Sequence, residues 1–194
     1  RKMELAGMQT EENRANFYTQ KSPSIARIVY KTNHVSNNLY AEHLLNAVGK
    51  KRNNGGSNSG GALAVKNFWS KRINTKGMYI SDGSGMSRMN AVSAYHLTSI
   101  LRYMKKSKNY KSFYTSLPIA GKSGTMTRIG RKTYASGRLR AKSGTMTRVK
   151  SYAGYVKSKS GKNLAFAIIV NNYNCYNSIM TKKLEKIMVA IANH

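Results

Sequence analysis

The sequence predicts an α+β fold, and three observations carry that prediction. Apolar residues recur at helical spacing in several segments between residues 23 and 104, an apolar run of strand length occupies 163–172, and a last amphipathic stripe closes the chain. Helices first, then an antiparallel hairpin, then a closing helix is the order of a sheet with helices packed on it rather than of a repeated βαβ unit. With 194 residues, 40% of them hydrophobic, the chain suffices for one packed core.

Each element has its own signal. Ser22 before Pro23, followed by Ile25, Ile28, Val29 and Thr32 at i, i+3, i+4 and i+7, predicts a helix near 23–32. "SNNLYAEHLLNAVGK" repeats the pattern with Ala41, Leu44, Leu45 and Val48, Ser36 at its start and Gly49 as its stop. "KKRNNGGSNSGG" at 50–61 has no apolar residue and reads as a mobile surface loop, with a short helix beyond it around Val65, Phe68 and Trp69. "YISDGSGMSRMN" at 79–90 is a cluster of turn formers that feeds a helix carrying Leu97, Ile100, Leu101 and Met104. From Leu139 the texture turns to β-formers and glycine, with "KSKSGK" as a hairpin connection, so two or three antiparallel strands are expected over 139–172. The helix from Asn177 carries Met180, Leu184, Ile187, Met188 and Ile191 as one apolar stripe.

Lys and Arg number 34 against 6 Asp and Glu, a net charge of +28, which must attract polyanions and repel itself. Anionic envelope polymers and nucleic acid are the candidate polyanions, but the basic residues are scattered rather than interleaved with aromatics, which argues against a dedicated nucleic-acid interface. Cys175 stands alone, so no intrachain disulfide forms and no catalytic role is expected of it. No apolar run is long enough to cross a membrane as a helix. His34, His43, His96 and His194 lack metal-ligand spacing, and Glu42 lacks a partner carboxylate, so no metal is expected.

One tetrapeptide occurs twice. "AGKSGTMTRI" at 120–129 returns as "RAKSGTMTRV" at 140–149. In the second copy Lys142, Ser143, Gly144 and Thr145 lead into the expected strands. They would offer an ammonium and two hydroxyls to one small anion, with Gly144 allowing a close backbone approach. A carboxylate suits that arrangement, although K-S-G-T is also ordinary turn chemistry. Only the second copy has a sheet to sit on, and the first is expected to be a turn. Ser36 and Asn38 could present a hydroxyl and an amide to one cleft, and Asp82 could brace a loop beside it or cap its own turn.

S-x-N followed much later by K-[ST]-G forms two of the three motifs of penicillin-interacting serine enzymes, in the right order; the third is S-x-x-K. Taken with "SPSIARIVYKTNHVSNNLYAEHLL", "YISDGSGMSR" and "LRAKSGTMTRVKSYAGYVKSKSGKNLAFAIIVNNY", the chain resembles the D-alanyl-D-alanine carboxypeptidase/endopeptidase family of class C low-molecular-mass penicillin-binding proteins, peptidase family S13, over roughly residues 20–192. The resemblance implies part of a serine β-lactamase/penicillin-binding-protein-like transpeptidase fold. It also implies a serine that attacks the D-Ala-D-Ala bond, an acyl-enzyme that water resolves, no cofactor, and an envelope or periplasmic location. It assigns Ser36 to proton relay, Asn38 to holding the catalytic lysine and the substrate amide, and Lys142 to the positive potential for the terminal carboxylate. Ser143 and Thr145 would bond the substrate, and the Thr145 N–H would form half of an oxyanion hole. The implied partners are a stem peptide ending in D-Ala-D-Ala, β-lactams, and an upstream segment of the same enzyme.

The match breaks at one point. No serine of residues 1–194 begins S-x-x-K, so the nucleophile is not in this chain. With Arg1 rather than Met at its start, the expectation is the C-terminal portion of a longer enzyme, residues 1–21 being a lead-in and the isolated chain nearly inactive. The competing expectation is a non-catalytic basic module that binds anionic wall polymer or nucleic acid through its charge.

Overall fold

The computed structural model describes residues 17–194, and most of the expected lead-in lies outside them. Among the described residues, six α-helices and three strands run in the order α1 (Ile25–Val35), α2 (Asn38–Lys51), α3 (Asn58–Ser70), α4 (Ala94–Lys105), α5 (Tyr110–Ser116), β1 (Leu139–Met146), β2 (Val149–Lys157), β3 (Asn163–Asn171) and α6 (Asn177–Asn193). The sheet is antiparallel in the order β1-β2-β3, with Leu139 opposite Val156 and Val156 opposite Leu164, an α+β arrangement as expected.

Strand alternation divides the sheet into two faces. One carries Leu139, Ala141, Tyr152, Val156 and Phe166, and α6 covers it with Met180, Leu184, Met188 and Ala192 in the larger core cluster. The expected α6 stripe therefore holds except at Ile187, which is 46% exposed; the buried line runs through Ala192 instead. The opposite face carries Tyr155, Ala153 and Ala165 against Leu101 of α4 and Phe113 and Tyr114 of α5. Tyr155 Oη donates to Leu101 O at 2.6 Å, so the phenol is satisfied where it is buried.

Three boundaries differ from the sequence reading. Ser24, not Ser22, caps α1 by accepting from Arg27 N, because it directly precedes the first stripe residue, Ile25. Ser36 does not open α2. It ends α1 in the left-handed region at φ 57°, and Asn37 caps α2 through Oδ1 accepting from Tyr40 N at 2.9 Å. Residues 50–61 are not one mobile loop: α2 runs through Gly49 to Lys51, and α3 begins at Asn58 under a Ser57 cap. The glycines that suggested a loop are packing residues. A Cβ on Gly61 would lie 2.3 Å from Leu45 O, so α2 and α3 approach more closely than any side chain would allow.

Three carboxylates are spent on loops. Glu42 of α2 accepts from the N–H groups of Gly83 and Ser84, each at 2.9 Å. Asp82 accepts from Gly85 N, Ser87 N and Asn90 Nδ2. Glu185 of α6 accepts from Gly130 N at 2.6 Å. Burial acts to raise the Glu42 and Asp82 carboxyls, but these and neighbouring hydrogen bonds outweigh it and hold both below their ordinary values.

The α2–α3 contact makes a direct prediction. Gly61→Val should lower the unfolding free energy by about 3 kcal/mol through overpacking, whereas Gly56→Ala, with nothing within 4 Å of its new Cβ, should change it by under about 0.5 kcal/mol. Equal urea midpoints for the two variants would contradict the close helix contact.

Candidate active site

A pairing chain places the two sequence motifs beside each other. α1 is fastened to α5 by Asn33 Nδ2 donating to Ser116 Oγ at 2.7 Å, with His34 Nδ1 3.4 Å from Ser116 O. Ser116 is fully buried and leads into Leu117–Ala120, which pairs with the outer edge of β1 through Ala120 N to Leu139 O and Ala141 N to Pro118 O. The C-terminal end of α1 is thereby held over the K-S-G-T half of β1.

At that junction Lys142 Nζ donates to Ser36 Oγ at 2.8 Å and to Ser143 O at 2.6 Å. These partners are 106 residues and one residue away along the chain. The left-handed backbone of Ser36 costs about 1 kcal/mol for a residue with a Cβ, and it turns the chain between the two helices where the hydroxyl meets the ammonium. Burial on the sheet face pushes the Lys142 ammonium below its ordinary value.

The free edge of β1 adds a second element. Leu139 O and Ala141 N point outward to residues 118–120, and N–H and C=O of alternate strand residues point the same way. The N–H groups of Ser143 and Thr145 therefore point to the same side, past the end of that pairing, and Thr145 is exposed there. Gly144 lies between them, and a Cβ on it would meet Ser151 Oγ at 2.5 Å.

Ser36, Lys142, Ser143, Gly144 and Thr145 are thus brought together. Asn38 sits in the first turn of α2 with an exposed side chain. Asp82 braces its own turn, with Glu42 tying that turn to α2. Cys175 is half-buried against the larger core cluster, and His96 is buried, its ring nitrogen closing the cap of α4 at Ser93. The site is an open ledge. A depression of about 590 Å³ lined by Ser70, Arg72, Tyr95, Arg102, Tyr103 and Lys106 contains none of the motif residues.

Three contributors escaped the sequence reading. Asn33 and Ser116 position α1, and neither carries a local signal because their contact spans 83 residues. Thr125, in the first copy of the repeat, accepts a hydrogen bond from Ser143 Oγ at 3.1 Å. The repeat was the available sign that this turn concerns the site.

Comparison with known proteins points to one family. The model of the D-Ala-D-Ala carboxypeptidase 3 (S13) family matches residues 2–194. The chain is 33% identical over 159 residues to the D-alanyl-D-alanine carboxypeptidase of Actinomadura sp. (strain R39), covering 79% of this chain and 29% of that protein. It is 34% identical over 162 residues to the carboxypeptidase DacB of Mycolicibacterium smegmatis, covering 79% and 35%. It therefore spans about a third or less of these curated relatives' length. The structure of penicillin binding protein 4 from Haemophilus influenzae superposes with a TM-score of 0.78 at 26% identity, covering 87% of this chain and 40% of that one. An extended-spectrum β-lactamase shares the fold with a TM-score of 0.63 at 18% identity, covering 88% and 63%.

A lysine whose folded pKa is lowered binds fewer protons in the native than in the unfolded chain between the two values, so stability rises with pH across that window. Lys142 and Lys150, which is buried on the other sheet face beside Tyr152, both contribute that slope. Lys142→Met should flatten it below about pH 10, where tyrosines begin to ionise, and Lys142→Met/Lys150→Met should flatten it further. Denaturation at a series of pH values checks this; an unchanged slope in both variants would contradict the burial of the two ammonium groups.

Proposed function

Because the chain belongs to the D-Ala-D-Ala carboxypeptidase 3 (S13) family, we propose that it forms the S-x-N and K-S-G part of a serine D-Ala-D-Ala carboxypeptidase/endopeptidase site acting on peptidoglycan stem peptides in the cell envelope. The observation that carries this reading is the 2.8 Å hydrogen bond from Lys142 to Ser36, which joins the two motifs.

In this reading the substrate's terminal carboxylate lies against the hydroxyls of Ser143 and Thr145, within the positive potential of Lys142. That potential needs no ion pair to create it, since the chain carries +28 and Glu42, Asp82 and Glu185 are committed to loops. The outward Thr145 N–H donates to the carbonyl oxygen that becomes an oxyanion, and the nucleophile's own N–H supplies the other donor. Ser36, already bonded to Lys142, passes a proton toward the leaving amine. Asn38 orients the lysine of S-x-x-K and the substrate amide. β-Lactams enter as acylating analogues of the same peptide bond.

The nucleophile and its lysine come from a segment outside these 194 residues, because no S-x-x-K is present among them. Val35 and Leu39, which flank Ser36 and Asn38, are 49% and 62% exposed, an apolar surface that such a segment would cover. The basic-module alternative draws on net charge alone, which describes attraction rather than chemistry, and the family does not favour it.

Intact mass after incubation with a reactive penicillin tests the proposal. The chain alone should show no adduct, and co-expression with a segment carrying S-x-x-K should produce one on that segment's serine. In the reconstituted pair, Lys142→Ala should slow acylation on the order of a hundredfold. An adduct on the chain alone, or none after the segment is supplied, would overturn the reading.

A further inference from the structure

The first copy of the repeated tetrapeptide lies against the second. Its lysine does not reach the site, for Lys122 lies along Gly137. Its threonine does: Thr125 is exposed on the turn Gly124–Met126, and its Oγ1 is 3.1 Å from Ser143 Oγ.

That turn is held firmly. Met126 is fully buried in the larger core cluster. Gly124 takes φ 55°, and a Cβ there would lie 2.4 Å from His34 O, so the turn is wedged under the end of α1 that delivers Ser36. Ser123 Oγ accepts from Ile119 N, Thr127 Oγ1 donates to Gly124 O, and Gly121 N donates to Met126 O. An exposed hydroxyl on so constrained a turn beside a ligand-facing serine is placed to meet the ligand.

Each hydroxyl has one proton. In the geometry observed, Ser143 gives its proton to Thr125. When a carboxylate accepts the Ser143 proton, the Thr125 hydroxyl rotates to donate to Ser143 Oγ, so both protons still serve the ligand as one chain. We propose that Thr125 is a specificity-determining residue that works with Ser143 as a coupled pair of hydroxyls, binding ligands that end in a free carboxylate over ligands capped as amides. This rests on the D-Ala-D-Ala reading above and extends it to a residue outside the K-S-G motif. Linked hydroxyls polarise one another, so an anionic acceptor gains more from the pair than from Ser143 alone. A neutral amide gains little.

The test is an NMR titration of the 194-residue chain with acetyl-Lys-D-Ala-D-Ala and with its C-terminal amide. Wild type should bind the acid more tightly. Thr125→Val, which keeps the shape and removes the hydroxyl, should weaken acid binding about 5-fold and leave amide binding unchanged, and Thr125→Ser should restore the preference. Matching thermal midpoints would exclude unfolding as the cause. A wild-type acid preference that Thr125→Val retains in full would overturn this inference alone. Equal wild-type affinity for acid and amide would remove the carboxylate reading of the site, and the inference with it.

Discussion

The arrangement depends on how the half-buried Lys142 ammonium is satisfied. A cation on the covered face of a sheet is costly unless hydrogen bonds replace its water, and Lys142 donates to two neutral oxygens, Ser36 Oγ and Ser143 O. One oxygen belongs to the joint between two helices and the other to the strand itself. Satisfying the lysine therefore ties α1 to β1, and the left-handed backbone of Ser36, which caps the end of α1 against Thr32 O, turns the hydroxyl toward that contact. The fastening of α1 to Ser116 and the pairing of Pro118 and Ala120 with β1 bring the joint within reach.

The same logic explains how a chain of +28 folds with so few acids. Glu42, Asp82 and Glu185 serve as acceptors for loop N–H groups, a task no cation can perform. Several cations rest on aromatic faces: Arg72 lies 3.8 Å from the Phe68 ring centre, Arg138 4.4 Å from that of Tyr134, and Arg140 4.9 Å from that of Tyr114. Such contacts hold a cation at low desolvation cost and leave its field uncancelled, which suits the carboxylate-binding role proposed for the site.

Much of the fold was legible because its signals are local. The stripes of α4 and α6, the strand-length run of β3 and the hairpin at "KSKSGK" each declare themselves within a dozen residues, and the second K-S-G-T copy was identifiable from the β-forming residues directly after it. Contacts between distant segments escaped. Gly60 and Gly61 looked like loop residues because the sequence does not show the helix pressed against them, and two adjacent cap formers, Ser36 and Asn37, left the α1–α2 boundary one residue off. The first K-S-G-T copy read as a turn, and it is one; its proximity to Ser143 arises only because the edge of β1 pairs with the residues just before that turn.

S-x-N and K-S-G meet through one half-buried lysine, Lys142. An NMR titration of the Lys142 side chain, in the wild type and in Ser36→Ala, measures this directly. The account predicts a wild-type midpoint below the ordinary lysine value of about 10.4 and a distinct shift when the Ser36 hydroxyl is removed. An ordinary midpoint that Ser36→Ala leaves unchanged would show that the lysine is solvated and that the two motifs do not form one site.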